Sequence, residues 1–150
     1  MAHTYYAVHL HLVFSTRDRK QWLSPGLQEE LFPYLASAIR NHDCVAHTVG
    51  GHVDHVHVLL SPNSTLAVPD LVKEIKRTSS VWMKTENRSD ASFAWQEGYG
   101  VFSVSHSNLG RVSKYISNQR IHHKERNFED EYRSLLIRHG VRFDERFYLG

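Results

Sequence analysis

The chain changes its apolar period in a fixed order, and that order constrains its fold more than any single motif does. From Tyr5 to Ser15 the pattern alternates, with Val8, Leu10, Leu12 and Phe14 on one side and His9, His11 and Val13 on the other, which predicts a strand. Ser24 and Pro25 then mark a helix start, because a serine can cap and a proline fits the first turn. Leu27, Leu31, Tyr34, Leu35 and Ala38 carry that helix as an apolar stripe to about Arg40. Cys44 to Val49 and Val53 to Leu60 read as two strands, with Gly50-Gly51 as the turn between them and Pro62-Asn63-Ser64 as the stop. Leu71, Ile75, Thr78 and Trp82 recur at helical spacing. A polar loop from Glu86 to Ser92 follows, then a strand over Tyr99 to Ser105. Leu109, Val112 and Ile116 mark a third helix, and Tyr132, Leu135 and Leu136 a fourth that Gly140 ends.

The order βαββαβ followed by two helices is the split-βαβ, ferredoxin-like pattern, an α+β fold with an antiparallel sheet. It places the first and third strands at the centre and the first two helices on one face. At 150 residues, with no repeat or linker, one domain is expected over residues 1–150. No apolar run is long enough to span a bilayer and the start lacks a signal-peptide layout, so the expected location is cytoplasmic. Cys44 is the single cysteine, which excludes an internal disulfide and a cysteine-based zinc site within one chain. A net charge of +2 is too mild to argue for nucleic acid by itself.

The alternation that turns Val56, Val58 and Leu60 toward the helices turns His55 and His57 to the opposite face, where the third helix is expected to lie. Two such imidazoles can share one cation, approaching within roughly 3 to 5 Å of each other when each is about 2 Å from the ion. Tyr115 and Gln119, four residues apart, share a helix face. Two imidazoles, an amide oxygen and a phenol suit metal-assisted phosphoryl transfer with a tyrosine nucleophile. A phenol of ordinary pKa about 10 needs activation by a base, a metal or a positive charge, and Lys114 and Arg111 are the neighbouring cations. Each residue also has a plainer reading. The histidines fit polar positions on a half-exposed strand, Tyr115 fits the edge of a core, and Gln119 fits a solvated helix surface. The combination weighs against all three. Tyr132 is a rival nucleophile, but its spacing to Leu135 and Leu136 points to packing. Asp54 should face away from His55 if the strand is regular, while His52, His122 and His123 receive no role.

With His55-Val56-His57 and Tyr115-Ile116-Ser117-Asn118-Gln119 in place, the chain resembles the HUH single-tyrosine transposases, the insertion sequence 200/605 group with its relatives associated with repetitive extragenic palindromes. The likeness extends to Val13-Phe14-Ser15-Thr16, Trp95-Gln96 and Gly98-Tyr99-Gly100. It implies a DNA transposase and endonuclease that cleaves and rejoins single-stranded DNA hairpins through a 5′-phosphotyrosine. Tyr115 would be catalytic, with His55, His57 and Gln119 as metal ligands and Mg2+ or Mn2+ as the cofactor. His9-Leu10-His11 ranks second as a motif because the family uses the later strand, which leaves His11 as a supporting group. The resemblance also implies a homodimer. The resemblance implies a crossed arrangement as well, in which Gly110, ahead of Tyr115, lets the tyrosine helix serve the partner.

DNA contacts are expected from Lys73, Lys76 and Arg77 on the second helix, from Arg111, Lys114 and Arg120 around Tyr115, and from Arg17 after the first strand. Two alternatives stay open at the level of sequence. One is a domesticated, palindrome-binding nickase of the same chemistry; like the transposase itself, it is expected in the cytoplasm in association with the nucleoid. The other is a non-catalytic ferredoxin-like module that binds nucleic acid on its open face.

Overall fold

The computed structural model describes residues 3–150. β1 (His9–Ser15), α1 (Pro25–Arg40), β2 (Val45–Gly51), β3 (His55–Ser61), α2 (Val68–Thr85) and β4 (Gly100–Val104) form the βαββαβ unit. α3 (Leu109–Ser117), α4 (Gln119–His122) and α5 (Phe128–Arg138) follow. The sheet runs β2-β3-β1-β4 with every neighbouring pair antiparallel, so the two central strands are β1 and β3.

Ser24 caps α1 by accepting a hydrogen bond from the Leu27 backbone N–H, and the helix buries Leu27, Leu31, Leu35 and Ile39. α2 buries Leu71, Val72, Ile75 and Met83. These residues meet Leu12 and Phe14 of β1 and Val56, Val58 and Leu60 of β3 in the main core. Val13 and Phe102 point the other way and pack with Phe128, Tyr132, Leu135 and Leu136 of α5. Helices therefore cover both faces of the sheet. Among the described residues no helix is long and apolar enough to cross a membrane.

Four sequence expectations are corrected. The first strand begins at His9, and Tyr5 and Tyr6 lie exposed outside it. The reason is that the ladder to β4 ends at His9, and alternation without a pairing strand does not make a strand. Gly50 and Gly51 do not form the hairpin turn; they lie within β2, paired with His57 and Val56, and the connection is His52–Asp54. Gly50 is there for close approach, since a Cβ at that position would stand 2.5 Å from the Ile116 carbonyl oxygen of α3. The third helix does not run unbroken through Gln119. It stops at Ser117, Asn118 leaves helical geometry at φ −100 and ψ 21, and α4 starts anew. Finally, Asp54 precedes β3 rather than belonging to it, so strand alternation does not govern its direction.

Candidate active site

β3 presents His55 and His57 on the face away from α1 and α2, and both are completely buried. Their ring centroids are 5.0 Å apart. His11 of the neighbouring strand joins them through its Nε2, 2.7 Å from His57 Nδ1. Asp54, expected to face away, instead places Oδ1 2.8 Å from His55 Nδ1. The centre of the group is a residue that sequence reasoning missed, Glu131 of α5, which is 2% exposed.

One oxygen of Glu131, Oε1, lies 3.0 Å from His57 Nε2, 3.0 Å from His123 Nε2 and 3.4 Å from His55 Nε2. The other, Oε2, accepts from the Tyr115 hydroxyl and, at 3.0 Å, from Gln119 Nε2. Gln119 in turn sets its Oε1 2.8 Å from His55 Nε2. Tyr115 and Gln119 thus reach one point despite the break at Asn118. The only trace of Glu131 in the sequence is its place on the buried stripe of the last helix, four residues before Leu135; its acidic neighbours Glu129 and Asp130 make it look like ordinary charge at a helix start.

Protonation follows from these contacts. Burial works against a charge on His55, but hydrogen bonds to Asp54 and Glu131 outweigh it and push the pKa up to about 9. For His57 burial wins over the bond to Glu131, and its pKa falls below the usual histidine value. His11 is driven down to about 3 by burial and by His57 beside it, so it is neutral. Burial also raises the affinity of Glu131 for a proton, yet hydrogen bonds from His123, His55 and His57 overcome it and hold the carboxylate ionised. Tyr115 is pushed above its ordinary value by burial and by the negative charge of Glu131.

The donor set fits a divalent cation. His55, His57 and Glu131 offer atoms that all lie within 4.8 Å of one another, and Gln119 Oε1 stands beside them. Asp54 on His55 and His11 on His57 hold the far ring nitrogens, which is how metal-binding imidazoles are oriented. A cleft of about 470 Å3 opens onto the group, lined by Tyr115, His122, Arg126, Glu131 and Arg138. A second cleft of about 250 Å3 holds Arg111 and shares Tyr115 and Arg138 with the first.

The other expected residues are spread more widely. Lys114 is exposed on α3, and Arg120 reaches the Gln28 amide oxygen at 3.4 Å. Lys73 and Arg77 are exposed on α2, on the far side of the sheet from the histidines, with Arg77 paired to Glu74. Lys76 donates to the backbone carbonyls of Gln96 and Gly98. Arg17 is exposed just beyond β1. Tyr132 packs against Phe128 and over Gly100 and is 3% exposed. Within one chain Tyr115 lies 5.8 Å, ring to ring, from His57.

Residues 4–119 match the family described as Transposase IS200 like. The chain is 27% identical over 125 residues to the ISDra2 transposase TnpA of Deinococcus radiodurans, covering 80% of this chain and 88% of that protein. A crystal structure of a Deinococcus radiodurans protein assigned as a transposase superposes with a TM-score of 0.61 at 24% identity, covering 79% of this chain and 96% of the other. A REP-associated tyrosine transposase bound to a REP hairpin gives 0.59 at 13% identity, covering 82% and 73%.

Proposed function

The chain belongs to the IS200-like transposases, and from that premise we propose that it cuts and rejoins single-stranded DNA at hairpin-marked ends through a 5′-phosphotyrosine on Tyr115. The observation that carries this reading is the convergence of Tyr115, Gln119, His55 and His57 on the single carboxylate of Glu131. The hairpin held by the REP-associated relative supports the same substrate class here.

The phenolic oxygen of Tyr115 attacks the scissile phosphorus, the bond from phosphorus to the 3′-oxygen breaks, and the 3′-oxygen leaves as a hydroxyl after taking a proton from water. Glu131 already accepts the hydrogen bond from the phenol, so it aims the nucleophile. Its low proton affinity means that the proton crosses only as the oxygen bonds to phosphorus and the phenol becomes strongly acidic. Arg126 and Arg138, which line the cleft with Tyr115, would hold phosphate oxygens. Rejoining is the reverse attack by a DNA 3′-hydroxyl, so no external energy source is needed.

His55 and His57 would hold Mg2+ or Mn2+ through Nε2, with Glu131 and Gln119 supplying oxygen. When bound, the cation supplies Lewis-acid stabilisation of charge on the phosphate and the departing oxygen. Asp54 and His11 keep the two rings oriented throughout. The contribution of α5 supports treating residues 1–150 as one functional domain. The working unit is proposed as a homodimer in which each chain completes its own site, acting on DNA in the cytoplasm.

Incubation with a single-stranded hairpin DNA and Mg2+, followed by a denaturing gel, tests this. A protein-DNA adduct is expected from the natural sequence and none from Tyr115→Phe, with hairpin binding kept. An adduct of equal yield from Tyr115→Phe would refute the assignment.

A further inference from the structure

Tyr115 lines two clefts, and only one of them holds the carboxylate it bonds to. Glu131 and Glu125 line the first, whereas no aspartate or glutamate lines the second. The second shares Tyr115 and Arg138 with the first and adds Arg111, Asn108 and the apolar Val112 and Leu135. Asn108 stands at the N-cap of α3, yet its side chain makes no capping hydrogen bond, which leaves the amide open to a ligand. Neither Arg111 nor Arg138 forms an ion pair among the described residues, although Arg133, on the same helix as Arg138, is paired with Glu145.

This combination suits one nucleotide. Two unpaired guanidinium groups with no opposing carboxylate attract phosphate, an amide offers a donor and an acceptor to a base edge, and two aliphatic side chains can pack on a base face. At about 250 Å3 the cleft falls just below the roughly 300 to 1,000 Å3 of pockets that enclose drug-sized ligands, so it has room for an unpaired nucleotide and not for a duplex. Which nucleotide follows from the direction of attack. The Tyr115 hydroxyl bonds Glu131, so the phenolic oxygen faces the first cleft. Attacking and departing oxygens lie roughly in line across the phosphorus, which sends the strand ending in the 3′-oxygen further along that cleft. The nucleotide that keeps the phosphate has to turn aside, and the second cleft meets the first at Tyr115 and Arg138.

We propose that the second cleft is a binding site for the unpaired deoxynucleotide immediately 3′ of the cut, the one that stays on Tyr115 through its 5′-phosphate. Asn108 meets the base edge, Val112 and Leu135 pack on the base, and Arg111 holds the next phosphate. The assignment rests on the reading of Tyr115 as the nucleophile. It gives the site a means of holding the strand it has captured until a 3′-hydroxyl arrives to rejoin it.

The test maps the cut in a hairpin-bearing single strand and then places an abasic nucleotide immediately 3′ of it. With the full chain of natural sequence, the abasic strand is expected to form adduct roughly 10-fold more slowly, the size of one lost base contact. Asn108→Ala, at an exposed position, is expected to slow the intact strand by a similar factor and to show no further loss with the abasic one, because the two changes remove the same contact. An equal abasic penalty in both proteins, or none in either, would overturn the proposal while leaving Tyr115 as the nucleophile. If the natural sequence forms no adduct with any hairpin, the reading of Tyr115 fails, and a titration with deoxyadenosine 5′-monophosphate followed by NMR decides the cleft by itself. Saturable shifts at Val112 that Asn108→Ala abolishes would support a nucleotide site there, and their absence would overturn it.

Discussion

Tyr115 and Glu131, 16 residues apart and on different helices, are joined by a hydrogen bond from the phenol to carboxylate oxygen Oε2. Glu131→Gln keeps the shape of the group and removes its charge. Adduct formation with hairpin DNA is expected to fall by roughly 100-fold or more, the scale of a lost general base. Glu131→Ala leaves His55 without its buried countercharge and is expected to cost about 3–5 kcal/mol of stability, measured by urea unfolding. A Glu131→Gln protein that forms adduct at the natural rate would reduce Glu131 to a packing role.

Because Tyr115 meets His57 of its own chain, two defective subunits should not repair each other. A Tyr115→Phe chain mixed with a His57→Ala chain under subunit exchange is expected to remain inactive in single-strand cleavage. Recovery of activity in verified mixed dimers would instead establish the crossed arrangement.

Gly50 controls how near α3 comes to the sheet. Gly50→Ala forces a methyl group against the Ile116 backbone, with an expected cost of roughly 1–3 kcal/mol from overpacking. The helix that carries Tyr115 must shift, so cleavage should fall more steeply than the melting temperature. Parallel thermal melts and adduct assays on the one variant separate the two effects.

Lys76 gives a pH signature remote from the active site. Burial lowers its pKa from 10.5 to about 8 in the folded protein. Between those values the unfolded chain holds a proton that the folded one has released, so this residue makes stability rise with pH from about 8 toward 10.5. Lys76→Met should remove that rise. Urea unfolding of both proteins across the interval measures the difference, and identical slopes would contradict the shift.

Much of this architecture was legible because it depends on local period. His55 and His57 share a face through strand alternation, and the strand order follows from the sequence of helix and strand patterns. Spacing puts Tyr115 and Gln119 on one face, and both reach Glu131 even though the helix breaks between them at Asn118. Glu131 was not legible, because its contact with His57 spans 74 residues and its burial depends on how α5 docks. Asp54 shows the cost of a misplaced boundary: β3 starts at His55, two residues after the expected Val53, so alternation does not set the direction of the Asp54 side chain. Gly50-Gly51 misled for a different reason: a glycine pair that permits close packing looks the same in sequence as one that permits a turn.

The match to the family pattern ends at residue 119, while the carboxylate that gathers the site belongs to residue 131. Residues inside and outside the shared segment are therefore energetically coupled. Pairwise substitutions among His55, His57, Tyr115, Gln119 and His123 should depart from additivity through Glu131, since each change alters a carboxylate that the others also use. Exchange of the last helix with that of a relative is therefore expected to keep adduct formation only when the residues it serves are exchanged with it.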